Sequence, residues 1–151
     1  EMLQTGLSSL QVIYYFESLF RRHHMFWNDL DGTILLNKVF SKPVEISDID
    51  IFDIRIDREG PTVIIGFDLI GKLPENPPEK WVKGYNKCRC GINCGGVTSI
   101  NIEGIAVNML AKIEIKKENS HNKVIINGSN FRLNLECMHI QFMGPSVYIS
   151  K

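Results

Sequence analysis

No overall electrostatic field can come from this chain, because Lys plus Arg and Asp plus Glu number 17 each in 151 residues. The unbalanced charge that draws in nucleic acid or an anionic membrane is missing, so any electrostatic partner must be met by a local patch. Long apolar runs are missing too. The longest, "LQVIYYFESLF", is interrupted by Glu17 and falls far short of a bilayer span. It also lacks the basic start and small-residue cleavage site of a secretory signal. The expectation is a cytoplasmic protein with reduced thiols, touching neither membrane nor nucleic acid directly.

Catalytic motifs are equally scarce. There is no G-x-S-x-G, no Gly-rich phosphate loop ending in Lys-Ser or Lys-Thr, and no dinucleotide fingerprint. Of the four histidines, His23 and His24 adjoin a predicted helix end, His121 sits in a predicted turn and His139 follows a predicted strand. None has a ligand partner at i+4. We therefore expect no enzyme and no cofactor.

What is present is periodicity. Ser8 and Gln11 have capping-box spacing, and Val12, Phe16, Leu19 and Phe20 then line one helix face, with Arg21–His24 ending it. A second short helix is predicted over Thr33–Phe40, closed by Pro43. From Ile46 the period changes to two. Ile54 and Ile56 alternate with Asp53, Arg55 and Asp57, Phe52 is assigned to the isoleucine face, and "REGP" turns the chain into "TVIIGFDL", with Val63, Ile65, Phe67 and Leu69 inward and Thr62, Gly66 and Asp68 outward. The inward phase switches between Ile51 and Phe52, which predicts a bulge there. A long Pro-rich connection follows, with Trp81 as its one large anchor, and then further strands in "TSINIEG", "AKIEIKK", "KVIING", "FRLNLEC" and "SVYIS". The fold class predicted is α+β, mainly β: an antiparallel β-sandwich or strongly curved sheet of about seven strands with one or two N-terminal helices. We read residues 1–151 as a single domain.

Three of the four cysteines, Cys88, Cys90 and Cys94, fall in "KCRCGINCGG". They share one face of a strand, opposite Lys87, Arg89 and Asn93, as expected of cysteine used as a small hydrophobe. Same-face neighbours on a strand lie roughly 6.6 to 6.8 Å apart, whereas two thiolates on one zinc are only about 3.8 Å from each other. The core reading is favoured over a metal site. A strand bent at Gly91, Gly95 and Gly96 would bring a distorted four-thiolate site with Cys137 back as the alternative.

The one clear charge imbalance is Glu45–Glu59, "EISDIDIFDIRIDRE". Its plain reading is an exposed edge strand protected by charge. The sharper one is an acidic surface for a basic protein partner.

Taken together, "DREGPTVIIGFDL", "PENPPEKW" and "GYN" resemble the immunity protein 50 family of bacterial polymorphic-toxin systems, in which a turn, a Phe-Asp-Leu strand end, a Pro-Pro-Lys-Lys-Trp stretch and a Phe-Asn pair recur at these relative positions. The matching residues are Asp57, Arg58, Gly60, Pro61, Phe67, Asp68, Leu69, Pro77, Pro78, Trp81 and Asn86, with Glu59 in place of Asp and Tyr85 in place of Phe. The resemblance covers about residues 25–151 and leaves residues 1–24 outside it as a helical extension. Family members carry an alternating strand without cysteines after the Asn, which supports the core reading of the thiols. The resemblance implies a non-catalytic role: tight binding and neutralisation, in the cytoplasm, of a cognate toxin C-terminal domain, possibly a nuclease, of a contact-dependent inhibition system. Asp48, Asp50, Asp53, Asp57 and Glu59 are the candidate toxin-binding residues. The competing reading is a small-ligand-binding β domain whose curved sheet encloses a cavity.

Overall fold

The computed structural model describes residues 8–13 and 23–151. Ser8 N–H donates to Gln11 Oε1 at 2.9 Å and Gln11 N–H to Ser8 Oγ at 3.2 Å, the reciprocal pair of a capping box, and residues 9–13 are helical. Phe16, Leu19, Phe20, Arg21 and Arg22, assigned above to the rest of that helix, lie outside the described residues. His23 and His24 do not end a helix. They form β1 (His23–His24), which pairs with Lys116 and Ile115.

The predicted second helix is α1 (Ile34–Val39), which buries Leu36 and Val39. It is preceded by a 3-10 turn, Trp27–Asp29, whose Trp27 is fully buried. The strands follow as β2 (Asp48–Asp57), β3 (Thr62–Leu69), β4 (Lys87–Gly95), β5 (Ser99–Glu103), β6 (Leu110–Glu118), β7 (His121–Gly128), β8 (Arg132–Cys137) and β9 (His139–Tyr148). All pairings between them are antiparallel. They make one open sheet in the order β5-β8-β7-β6-β2-β3-β4-β9, with β1 added beside β6. Of the two arrangements expected, the continuous curved sheet is the one found.

Its two halves meet at a short seam. β2 pairs with β6 only through Asp48, Ile49 and Asp50, whereas it pairs with β3 along nearly all its length. Alternation puts apolar side chains on one face of each half: Ile113, Ile115, Val124, Ile126, Leu133 and Leu135 on one, Ile49, Val63, Ile65, Phe67, Ile92 and Phe142 on the other. All belong to one buried cluster. Trp27 packs into this cluster, stacked on Phe67 with ring centroids 4.9 Å apart and tilted against Phe142 at 5.8 Å. The interior is filled by side chains.

Trp81 is only half-buried. The Pro-rich connection is also held by Asn76 N–H on Val39 O at 3.0 Å, Ser41 N–H on Glu75 Oε1 at 3.2 Å, and the Tyr85 hydroxyl on Pro74 O. The hydrogen bond from Ser41 holds the Glu75 carboxyl below its usual range.

Cys88, Cys90, Cys94 and Cys137 are all buried and free. They come as two thiol contacts, Cys88 with Cys90 and Cys94 with Cys137. These contacts first, and burial second, raise the Cys90 and Cys94 pKa, so both stay protonated at neutral pH. Among the described residues no three His, Cys, Asp or Glu side chains gather into a metal-holding group. Iodoacetamide should accordingly leave Cys88, Cys90 and Cys94 unmodified until denaturant opens the fold, and Cys94→Ala should cost about 1 to 3 kcal/mol through lost packing. Rapid labelling of the native protein would contradict this, as would one equivalent of tightly held zinc.

Candidate functional site

The outer face of β2, β3, β4 and β9 carries a connected polar cluster, the most extensive among the described residues. It originates in the predicted bulge. Ile51 is opposite Phe67, but Asp53, two residues on, is opposite Gly66, so Phe52 is the extra residue. This places Phe52 on the outer face and not with Ile54 and Ile56 as the alternation suggested. Its ring lies directly over Gly66, where an added Cβ would come within 2.6 Å of the ring. Gly91 stands opposite Gly66 on β4, so neither strand sets a side chain at this point.

Arg89 sits in register with Asp68 on β3 and Ser146 on β9. Its Nε donates to Asp68 Oδ1 at 2.9 Å, and its Nη2 donates to Asp68 Oδ2 at 3.2 Å and to the Tyr148 hydroxyl at 3.0 Å. The Tyr148 hydroxyl in turn donates to Asp68 Oδ2. The guanidinium lies 3.6 Å from the Phe52 ring centroid and 4.5 Å from that of Tyr148. A two-pronged carboxylate contact through Nε and Nη2, with a ring on either side, holds the arginine fork in place. The hydrogen bond that Arg89 donates to Asp68 raises the Arg89 pKa, and burial, followed by the hydrogen bond to Asp68, makes Tyr148 hold its proton to higher pH than a free tyrosine. The carboxylate of Asp68 is nearly buried while Arg89 keeps 36 % of its side chain exposed. The pair is thus anchored below and presented above.

The acidic residues expected to matter run along β2, with Asp50 and Asp53 beside this cluster and Asp57 farther along, opposite Thr62. Asp50 is directly opposite Asp68, two like charges side by side, and the bulge returns Asp53, Arg55 and Asp57 to the same outer face. Asp48 precedes them on that face, and Glu59 lies beyond the strand in the turn, where its N–H donates to Asp57 Oδ1 at 3.0 Å. Asp53 is bound by Arg55 at 3.2 Å. The sequence reading had Asp68 and Arg89 pointing outward but did not join them to Phe52 and Tyr148. The link to Tyr148 depends on β4–β9 pairing, which no local pattern announces.

Gly66 offers a direct probe of the cluster. Gly66→Ala should push the Phe52 ring off Arg89. Phe52 is about half exposed and free to swing away, so the stability cost should fall below the roughly 1 to 3 kcal/mol of an overpacked core, while the environment of the Arg89 guanidinium changes. Unaltered Arg89 side-chain resonances in the variant would mean the ring is not held there.

The larger clefts are shallow, and neither Arg89 nor Phe52 lines them. One of about 450 Å3 is lined by Phe26, Phe40 and Leu73 but also by Lys42, Lys72 and Glu75. No helix is long and apolar enough to cross a membrane among the described residues.

Compared with known proteins, residues 32–148 match the family model described as Immunity protein 50. The searches of curated proteins and of solved structures found no match.

Proposed function

Since the chain belongs to the immunity protein 50 family, we propose that it binds a bacterial toxin domain and neutralises it by covering the toxin's active site or substrate path. The observation that carries this reading is the outer face just described. A rigid arginine held between Phe52 and Tyr148, next to Asp50 and Asp53 on a strand whose outer face also carries Asp48 and Asp57, has the make-up of a binding hot spot with an acidic border. Tyr and Arg are the residues that most often supply binding energy at protein interfaces, and here the cost of ordering Arg89 has already been met within the free protein. The acidic border favours a basic partner, and a domain that acts on nucleic acid, such as a nuclease, has that character. The site of action is the cytoplasm, where a toxin would arrive. A complex of this kind buries roughly 1,600 Å2 in total. A small-ligand reading gains no support from an interior filled by Trp27, Phe67 and Phe142.

The test starts from the reading frame immediately upstream. Its C-terminal domain, expressed with this chain, should co-purify with it, and cells making both should survive where cells making the domain alone do not. Survival lost on mixing in an unrelated immunity protein, but kept with this one, would establish specificity. A toxic domain that this chain neither binds nor silences would overturn the reading.

A further inference from the structure

β2 has two neighbours for only part of its length. β6 accompanies it through Asp48, Ile49 and Asp50, and Ile51 N–H still reaches Met109 O at 3.2 Å. Past that point the chain leading into β6 leaves. Among the described residues nothing pairs with Asp53–Asp57 on that side, so the strand there is bonded to β3 alone. A free edge of five residues presents unpaired backbone donors and acceptors, a template for another strand.

The edge differs on its two faces. Outward stand Asp53, Arg55 and Asp57, and inward Ile54 and Ile56. Ile56 is opposite Val63, which is 1 % exposed, yet Ile56 itself is 60 % exposed. It borders a cleft of about 220 Å3 whose apolar lining comes from Pro61, Val63, Val97 and Ile100. An apolar residue is thus left uncovered where the sheet continues inward to the core.

We propose that Asp53–Asp57 accepts an extended strand from the partner, in which basic residues alternate with apolar ones. Laid in the position that β6 abandons, such a strand would set its apolar side chains over Ile54, Ile56 and the cleft, and its basic side chains beside Asp53 and Asp57. A second copy of this chain is a poor occupant, because from Asp48 to Glu59 five acids stand against Arg55 and Arg58. Two such edges repel. The identification of the partner as a toxin domain rests on the function proposed above, but the strand-accepting edge does not.

Two peptides separate the possibilities: a capped Lys-Val-Ser-Val-Lys segment and its Glu-Val-Ser-Val-Glu counterpart, each titrated into the full chain while amide hydrogen exchange is followed by NMR. The lysine peptide should slow exchange within Asp53–Asp57 severalfold at saturation. The glutamate peptide should bind at least tenfold more weakly, and so should the lysine peptide to Ile56→Lys, a change at an exposed position that leaves the fold intact. No slowing within Asp53–Asp57 at millimolar lysine peptide, equal binding of the two peptides, or slowing that grows with protein concentration alone would overturn the proposal. Repeated with the toxin domain, neutralisation without protection of Asp53–Asp57 would sink strand addition and leave the immunity reading standing. Failure to neutralise any toxin would instead sink the immunity reading, and the peptide result would still decide the edge.

Discussion

Trp27→Ala is expected to remove about 3 to 5 kcal/mol of stability, a large fraction of the roughly 5 to 15 kcal/mol that holds a typical domain together. Trp27 is fully buried, stacks on Phe67 and touches Phe142, so it joins β3 to β9 from a 3-10 turn before α1. Truncation would leave a cavity between elements that cannot all collapse into it. One feature of this tryptophan works against stability: its indole Nε1 is buried without a hydrogen-bond partner among the described residues. Leaving a buried donor unpaired costs about 1 to 3 kcal/mol. Trp27→Phe removes that donor together with part of the ring, so it should be much milder than Trp27→Ala. Urea denaturation followed by far-UV circular dichroism would rank the variants, with half-buried Trp81→Ala also well above Trp27→Ala in stability. If Trp27→Ala lay within about 0.5 kcal/mol of the parent, as surface changes usually do, the turn would not be a keystone of the core.

Replacing Asp48, Asp50, Asp53 and Asp57 together by Asn should separate stability from recognition. These side chains lie on one outer face of β2 and are not deeply buried. Asp50 opposes Asp68, so its loss relieves a repulsion, while the Asp53–Arg55 pair is exposed and worth less than about 1 kcal/mol. Stability should stay nearly constant. Association with a basic toxin domain should slow by about tenfold to a hundredfold at low salt and lose much of its salt dependence, since complementary charge acts mainly on the rate of encounter. Stopped-flow mixing at two ionic strengths would measure both effects. Association as fast as the parent's, with protection of cells intact, would mean that the toxin is met on another face.

Periodicity made much of the fold legible. The β2–β3 hairpin, its Gly60 turn at φ 64°, and the bulge after Ile51 were all readable, because a one-residue slip would turn a whole apolar set outward. The inward cysteines of β4 followed from the same rule. β9 was seen only at its end, in "SVYIS". It begins at His139, one residue after β8 closes, and contains Gly144 and Pro145, which read locally as a break. They are tolerated because they fall opposite the register shift between Arg89 and Gly91. β1 escaped notice since two residues carry no period, and basic residues after an apolar helix pattern look like a C-terminus. The site was legible one residue at a time. Asp68 and Arg89 were placed outward correctly, but Phe52 was turned the wrong way, because in a bulge the alternation changes phase at that very residue.

The route of the chain through the sheet has a consequence for how the protein is made. β5, β6, β7 and β8 occupy one unbroken stretch, Ser99–Cys137, in which short connections join β6 to β7 and β7 to β8, and β5 pairs with β8. β4, by contrast, is completed at Gly95 but waits for β9, whose first residue, His139, is its partner there. Hairpins can form as they leave the ribosome, whereas this closure must follow the translation of the entire intervening half. Alkylation of ribosome-bound chains truncated before His139 would show it as label on Cys88, Cys90 and Cys94. Three thiols enclosed in the finished protein are then open to oxidants for much of its synthesis.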